Sequence, residues 1–317
     1  MPDRSGEGID GGSIMTERQV HEPVMVNETL ELLGPKPGQV MVDLTAGAGG
    51  HLARLLEGVG PEGRVVGVDR DSAILELARK ALGPSGERAE LVRGSFSDFR
   101  AILGNLGIES VDGVLLDLGV SSFQLDRPER GFSFTRSGPL DMRMQAGKGK
   151  TALDLIRESS AEELERIFRE YGQEPRARLI ARRLAEVSRR RPPRTTGELA
   201  AFVASLLPPR GKGGRKRTHP ATRIFQALRI AVNDELGELE RTLPQIPPLL
   251  NPGGRLVVLS YHSLEDRIVK TFMREAERRG ELKRLTPKPL TPSADEVARN
   301  PRARSARLRA AERGAAS

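Results

Sequence analysis

Short apolar runs alternate with amphipathic stretches along the N-terminal part of the chain, between residues 40 and 118. The runs QVMVDLT, RVVGVD, AELVRG and VDGVLLD have the length and the β-branched content of buried strands. The stretches between them, GHLARLLEGV, DSAILELARKALG and SDFRAILGNLG, carry apolar residues three and four positions apart, which is typical of helices. This alternation predicts an α/β fold with a mostly parallel sheet, doubly wound by right-handed crossover helices.

The next strand pattern appears only at residues 253–263, after the turn signal NPGG, and the stretch before it has helical signals. SAEE at residues 160–163 predicts a helix that ends near Gly172, Pro175 opens a second helix, and TTGE at residues 195–198 opens a third. The predicted division is a disordered tail at residues 1–19, an α/β domain at residues 20–136 and 216–317, and an inserted all-helical domain at residues 137–215.

A further helix is predicted from Pro220 onward. Its apolar face carries Ile224, Phe225, Leu228, Val232, Leu236 and Leu239. A polar stripe on the opposite side carries Arg223, Gln226, Arg229 and Asn233, and the pattern leaves open whether this stripe faces a cleft or water. The Pro- and Arg-rich C-terminal residues are expected to form an edge hairpin or a tail.

The composition predicts the type of partner and the cellular compartment of the protein. The 317 residues carry a formal net charge of +8, with a pI of about 10.1, which favours a polyanionic partner, nucleic acid before membrane. The absence of cysteine excludes disulfides and thiolate metal sites. No apolar run approaches the roughly 20 residues that span a bilayer, and the polar N-terminus lacks the apolar centre of a signal peptide. We therefore expect a cytoplasmic protein.

Residues suited to ligand binding are concentrated after the first predicted strand, in the motif DLTAGAGGH that begins with Asp43. Gly47, Gly49 and Gly50 at a strand-to-helix turn allow backbone N–H groups to approach a ligand closely. Asp69 ends the second strand, at the spacing where a carboxylate accepts both hydroxyls of a ribose. Asp43 is a poor neighbour for a pyrophosphate but suits a cationic ligand with a free amino group, such as the methionine end of S-adenosylmethionine. A methyltransferase is favoured over a dinucleotide enzyme, while a turn-capping role for Asp43 remains the alternative.

Two later strand ends extend this site. Phe96 follows the third strand, where it could stack on an adenine or simply join the core. Asp117 ends the fourth strand, next to where a transferable methyl would lie. The long charged loop at residues 118–144 carries its own apolar side chains, which predicts a structured functional loop.

The histidines do not predict a metal site. His262 ends the strand after the insertion, where it could face the same edge as Asp117 or cap the next helix through Glu265 or Asp266. We do not assign it as catalytic. His51 and His219 are scattered in the sequence, and no metal is expected.

Several longer motifs are distributed along the chain from about residue 20 to residue 310. They are HEPVMVNE (21–28), DLTAGAGGH (43–51), LLDLGVSS (115–122), ERGFSF (129–134), GPLDMRM (138–144), HPATRIFQALRI (219–230), SYHSLEDRIVK (260–270) and NPRARS (300–305). In these motifs the chain resembles the bacterial RsmH family, also called MraW. That family methylates N4 of a cytidine, cytidine 1402 in standard 16S numbering, in the decoding centre of 16S rRNA of the small ribosomal subunit.

The resemblance implies a class I methyltransferase-like (Rossmann-like) fold with S-adenosyl-L-methionine as cofactor. The implied cofactor contacts are Gly49, Gly50, His51, Asp69, Phe96, Asp117 and Gln124. The chain departs from the family at Phe123, where proline is usual, at Tyr261, where phenylalanine is usual, and at Gln145, where aspartate is usual.

The implied reaction asks for orientation rather than for a strong base. The amino group of cytosine is poorly nucleophilic because its lone pair is conjugated into the ring, so a site must align it and accept hydrogen bonds from its N–H groups. Many exocyclic amino methyltransferases use a D/N-P-P-aromatic loop, and this chain has Asp117-Leu-Gly-Val instead. We expect Asp117 and nearby carbonyls to orient the amine, with Ser121 and Ser122 close enough to help.

Contacts to 16S rRNA are predicted in two segments. The Gly-rich basic loop at residues 209–217 suits phosphates, although a solvated linker is the alternative. The predicted RNA-binding residues are Arg210, Lys212, Arg215, Lys216, Arg217, Arg223 and Arg229. A same-fold methyltransferase with another substrate and a non-catalytic ribosome-assembly factor remain alternatives, and the oligomeric state, monomer or homodimer, is open.

Overall fold

The computed structural model describes residues 23–207 and 219–314, and in these ranges the strands form one seven-stranded sheet. The strands are β1 (Val40–Asp43), β2 (Arg64–Asp69), β3 (Ala89–Arg93), β4 (Val111–Asp117), β5 (Leu250–Ser260), β6 (Leu282–Arg284) and β7 (Arg307–Arg313). Their order is β3-β2-β1-β4-β5-β7-β6, with β1 to β5 parallel and β7 antiparallel to both of its neighbours. The predicted mostly parallel α/β sheet is confirmed.

Helices cover both faces of this sheet and fill the long connection from β4 to β5. The helices before β4 are α1 (Val26–Leu33), α2 (Gly50–Val59), α3 (Ser72–Leu82) and α4 (Phe99–Asn105). The helices between β4 and β5 are α5 (Ser122–Asp126), α6 (Ala152–Glu158), α7 (Ala161–Glu170), α8 (Ala177–Ser188), α9 (Thr196–Ser205), α10 (Thr222–Asn233), α11 (Glu235–Thr242) and α12 (Ile246–Leu249). The helices after β5 are α13 (Ser263–Arg278) and α14 (Ala294–Arg299).

Successive residues of each central strand enter different cores, because side chains alternate across a pleated sheet. Val114 and Leu116 of β4 pack with α4, α11 and α13 on one face. Leu115, between them, packs with α1, α2 and α3 on the other face. Both faces are apolar, so the strands read as continuous hydrophobic runs, as expected for a sheet covered on both sides.

The C-terminal strands agree in part with the expected edge hairpin. The consecutive strands β6 and β7 pair antiparallel at the edge of the sheet, but β6 is the edge strand and β7 lies inside, between β5 and β6. The NPGG turn lies within β5 as an irregularity, because Leu250 pairs with Val111 whereas Arg255 already pairs with Gly113. The looped-out residues let β5 resume its pairing with β4 after the turn. The sequence pattern had placed this turn before the strand rather than within it.

The helices between β4 and β5 build a core of their own. Leu164, Ile180 and Leu199, from α7, α8 and α9, are fully buried in this cluster. The cap residues Ser160 and Thr195 accept from the backbone N–H three positions later, as their motifs predicted. The cluster extends past both predicted domain boundaries, since it includes Phe132 on one side and the first half of α10 on the other.

Helix α6 was not predicted, although a signal for it exists. Thr151 and Asp154 form a reciprocal capping box at its start. The segment before it, at residues 145–150, is rich in Gly and Lys, and this composition masked the short helix that follows.

The prediction of a single long helix from Pro220 is wrong, because the helix is interrupted at Asp234. This residue adopts a left-handed backbone conformation (φ 50°) and divides the segment into α10 and α11. The break redirects the apolar stripe, because Leu228 of α10 packs in the helical core whereas Leu239 of α11 packs on the sheet. The apolar residues of one continuous helical pattern therefore contribute to two different hydrophobic cores. None of the helices in the described ranges combines the length and the apolar character needed to cross a bilayer.

Candidate active site

A cavity of about 150 Å³, open to solvent at its mouth, lies at the carboxyl ends of the five parallel strands β1 to β5. Ligands of open α/β sheets bind at this edge, because the loops after the strands converge there. Of the predicted site residues, those that line the cavity are Gly47, Asp69, Phe96, Asp117, Ser121 and Gln124. Those that do not line it are Asp43, Gly49, Gly50, His51 and Ser122.

The glycines of the first turn divide between ligand access and packing. Gly47 has a left-handed φ of 52°, and a Cβ there would meet only the Thr45 carbonyl, at 3.6 Å, so there is open space beside its Cα, while its N–H donates to Asp69. A Cβ on Gly50 would come within 2.5 Å of Pro23, and one on Gly49 within 3.3 Å of Ala78. These two glycines therefore allow helix α2 to pack closely against its neighbours.

Asp43 lies below the cavity and not in it. Its Oδ1 accepts from the backbone N–H and the hydroxyl of Thr45 at 3.0 and 3.1 Å, while its buried Oδ2 has no hydrogen-bond partner within the described residues. Burial raises the pKa of Asp43 to about 6, against opposing effects of His51 and Thr45. The Thr45 hydroxyl also accepts from the N–H of Asp117 at 2.6 Å, which ties the ends of β1 and β4 together.

His51 stands behind Asp117. Its Nε2 lies 3.6 Å from Asp117 Oδ2, an ion-pair distance that is slightly long for a hydrogen bond. Burial lowers the pKa of the imidazole, but the neighbouring carboxylates Asp117 and Asp43 outweigh it and leave the pKa above its usual value. The implied cofactor contact of His51 is therefore indirect in this geometry, through Asp117.

Asp69 forms the opposite end of the cavity. Its two oxygens accept from the N–H of Gly47 at 3.2 Å and from that of Asp71 at 2.9 Å. Burial raises its pKa to about 6, and these backbone bonds reduce the shift. A carboxylate fixed in this way still has lone pairs directed at a ligand hydroxyl.

Phe96 provides an apolar wall beside Asp69. The guanidinium of Arg70 lies 5.7 Å from the Phe96 ring centroid and donates to Ser95 and to the Asn233 carbonyl, both at 3.2 Å. Glu238 of α11 pairs with Arg70 at 3.1 Å. An aromatic ring of this kind, bordered by a cation, suits a flat base, and both Arg70 and α11 were missed by the sequence interpretation.

The loop after β4 is held by a short helix. Ser121 and Gln124 form a reciprocal capping box at the start of α5, so the Ser121 hydroxyl is engaged with the Gln124 N–H at 3.2 Å. The side-chain amide of Gln124 donates to Asp71 at 3.3 Å, and Arg130 pairs with the same carboxylate at 2.6 Å. Asp71 thereby fastens the loop to the cofactor side of the sheet.

Part of the polar stripe of α10 contacts other protein groups, and part of it is exposed to solvent. Asn233 is buried and bonds the Met142 carbonyl at 2.8 Å and the Met144 N–H at 2.7 Å. Arg229 forms a two-point ion pair with Glu235, at 2.8 and 2.9 Å, and is 17% exposed. Arg223 is half exposed, with Glu174 at 3.8 Å. The other predicted RNA-binding residues, Arg210 to Arg217, lie outside the described residues.

The cavity wall around Asp117 contains side chains that were not selected from the sequence. Tyr261, in the bend after β5, donates its hydroxyl to Asp117 Oδ1 at 2.7 Å. Burial, and then Asp117, raise the pKa of this phenol well above its usual value. Glu235, Glu265 and Met144 also line the cavity. Two sequence signals pointed to this region, the departure at position 261 from the resembled family and the expectation that His262 could face the same edge as Asp117.

His262 is the cap of α13, the structural alternative of the sequence interpretation. Its Nδ1 accepts from the Glu265 N–H at 3.4 Å, and Glu265 accepts from the N–H groups of Tyr261 and His262. Burial alone would raise the pKa of Glu265, but His262 and Arg229 hold it below its usual value. Within the described residues, Glu235, His262 and Glu265 are close enough to share a metal ion, but Arg229 already neutralises Glu235.

The family of the chain follows from comparison with known proteins. A model described as the MraW methylase family matches residues 18–314. The chain belongs to this family. The matched range includes the glycine turn after β1 and the loop after β4, which both contribute residues to the cavity.

Curated relatives cover almost the same length. Ribosomal RNA small subunit methyltransferase H of Syntrophotalea carbinolica is 50% identical over 92% of this chain and 98% of its own. The protein of the same name from Geobacter sulfurreducens is 49% identical over 92% and 98%. Among solved structures, SMU.1697c of Streptococcus mutans, a putative methyltransferase in complex with SAH, aligns with a TM-score of 0.45 at 11% identity, over 91% of this chain and 97% of that one.

Proposed function

We propose that this protein transfers a methyl group from S-adenosyl-L-methionine to N4 of a cytidine in 16S rRNA, cytidine 1402 of the small ribosomal subunit. The proposal rests on the difference between the two ends of the cavity. One end has a ribose-type carboxylate beside an aromatic wall, and the other has a carboxylate fixed by a phenol. The names of the relatives supply the rRNA of the small subunit as the substrate class.

The cavity fits the proposed cofactor. Asp69 would accept the ribose hydroxyls, Phe96 would stack on the adenine, and the missing side chain of Gly47 would let the ligand approach the backbone between them. The cation end of the cofactor would be attracted by the carboxylates Asp43 and Asp117, since opposite charges attract strongly in a buried environment. When bound, S-adenosylmethionine supplies a methyl on a sulfonium, and the S–C bond breaks as the N–C bond forms.

The acceptor end supplies orientation. Asp117 would accept a hydrogen bond from the cytosine amino group, which aligns the nitrogen and stabilises the positive charge that develops on it. The amino group loses one proton after the transfer, and a carboxylate in contact with it can receive that proton. Ser121 lines the cavity but would contribute little through its hydroxyl, because that group caps α5.

The RNA would enter over the helical insertion. The basic loop at residues 209–217 and the exposed Arg223 are proposed to contact phosphates, with Arg229 acting through its ion pair with Glu235. The inserted helices are proposed as the substrate-recognition domain, and the protein as a cytoplasmic one that needs no metal.

The test uses labelled S-adenosylmethionine and small ribosomal subunits that lack the modification. We expect label in 16S rRNA, recovered as N4-methylcytidine after digestion to nucleosides and mass spectrometry. Label in protein or DNA but not in 16S rRNA would contradict the proposal. Label on a ring carbon or a ribose oxygen would retain the rRNA substrate and reject the N4 assignment.

A further inference from the structure

The hydroxyl of Tyr261 binds the carboxylate that the proposed reaction depends on. It donates to Asp117 Oδ1 at 2.7 Å from the bend that joins β5 to α13. The bend itself is fixed, because the N–H of Tyr261 donates to Glu265 at 2.8 Å. The ring packs beside Gly119, where an added Cβ would lie 3.6 Å from Tyr261 Cδ2.

The other oxygen of Asp117 faces a competing donor. His51 Nε2 stands 3.6 Å from Oδ2, and both nitrogens of this buried imidazole lack a hydrogen-bond partner in the described part of the chain. A charged imidazole without a partner is costly to bury, so a closer ion pair with Asp117 would be favourable. Such a movement would draw the carboxylate toward α2 and away from the cavity.

The two contacts act on different oxygens and come from different elements. The backbone of Asp117 is tied by its N–H to Thr45, so the carboxylate can move mainly by rotation about its side-chain torsions. Terminal carboxyl torsions are soft and are set by their hydrogen bonds. The phenol keeps its proton and remains a donor near neutral pH, because burial raises its pKa well above the usual value.

We propose that Tyr261 is a positioning residue: its hydroxyl holds the Asp117 carboxylate toward the acceptor end of the cavity, against the attraction of His51. The inference rests on the proposed function, since it presumes that Asp117 orients the acceptor amine. Tyr261 orients the Asp117 carboxylate but leaves its charge unchanged, so the effect of the hydroxyl belongs to the transfer step, whereas the attraction of the cofactor's cation depends on the charge.

The kinetic test removes one oxygen atom. Tyr261→Phe keeps the ring and its packing, and we expect kcat for 16S rRNA methylation to fall about tenfold, as for the loss of a hydrogen bond to a charged group. The KM for S-adenosylmethionine should stay within about twofold, since the ribose and adenine contacts are untouched. Tyr171→Phe is the matched control, because Tyr171 is the second tyrosine of the chain and lies at the end of α7, away from the cavity.

A double-mutant cycle separates positioning from a general structural role. In an Asp117→Asn background, Tyr261→Phe should change the single-turnover rate by less than about twofold, because the partner of the hydroxyl is already altered. An equal loss in both backgrounds would overturn the proposal, since Tyr261 would then act independently of Asp117.

A spectroscopic readout tests the hydrogen bond without catalysis. The chain has two tyrosines and no tryptophan, so Tyr171→Phe leaves Tyr261 as the sole emitter. A phenol that donates to a carboxylate fluoresces weakly, because its excited-state proton passes to the acceptor. Asp117→Asn should therefore increase the emission of this chain, and unchanged emission would contradict the contact.

The outcomes distinguish this inference from the proposed function. A wild-type protein that methylates 16S rRNA, with Tyr261→Phe equally active and equally stable to heat, overturns only the positioning role. A wild-type protein that leaves 16S rRNA unlabelled overturns both.

Discussion

The two ends of the cavity are built in different ways. The proposed cofactor end takes Gly47, Asp69 and Phe96 from consecutive strand ends, each followed directly by its own helix or turn. The proposed acceptor end joins Asp117 to Tyr261, which is 144 positions later in the chain, and to Glu235 at a helix break. The first end depends on local strand-to-helix turns, and the second depends on how the insertion and β5 return to the sheet.

This difference predicts separable functions. Changes at the cofactor end should alter affinity for the cofactor, and changes at the acceptor end should alter the transfer rate.

Asp117→Asn should have the largest effect, a loss of about a hundredfold in kcat, because an amide cannot stabilise the cationic amine as a carboxylate does. The dissociation constant of S-adenosylhomocysteine, measured by calorimetry, should change by less than about threefold. Asp112→Asn is the matched control, since Asp112 belongs to the same strand but bonds Val40 and Asn251 at its other end. A larger change in affinity than in kcat would erase the distinction between the two ends.

Asn233→Ala should lower the free energy of unfolding by about 2 kcal/mol, since it leaves buried backbone groups at Met142 and Met144 without partners. Urea denaturation measures this loss. Arg178→Ala, at an exposed position of α8, should change stability by less than about 0.5 kcal/mol. Equal values for the two variants would mean that α10 does not support the acceptor end.

Asp69→Asn should weaken S-adenosylhomocysteine binding about tenfold through the loss of a charged acceptor for the ribose hydroxyls. At saturating cofactor, kcat should stay near the wild-type value. A fall in kcat that high cofactor concentration does not restore would place Asp69 in the transfer step.

The smallest expected effect is a pH dependence of cofactor affinity. In the free protein the pKa of Asp69 is about 6, above the ordinary carboxyl value, so its charge is lost as the pH falls through 6. A ligand that needs the ionised form should bind about fourfold more weakly at pH 5.5 than at pH 7. Asp69→Asn should remove the part of the dependence that belongs to this group, and a slope that persists unchanged would assign it elsewhere.

Sequence reasoning was most successful where the pattern was local. The strand-turn-helix motif with Gly47, the carboxylate at Asp69 and the carboxylate at Asp117 all lie where the alternation of strands and helices put them. It was less successful for Asp43 and His51, which belong to the same motif but lie beneath the cavity. A motif fixes which residues are near a turn, but which of them reach the ligand depends on how the turn packs.

The chain by itself determined the doubly wound sheet, the edge at which the cavity lies, and the helical insertion, because hydrophobic periodicity and capping motifs act over short distances. Only the tertiary structure decided the break at Asp234, the place of β7 inside the sheet, and the meeting of Tyr261 with Asp117. These features depend on contacts between residues that are far apart in sequence, and such contacts leave no periodic signal along the chain.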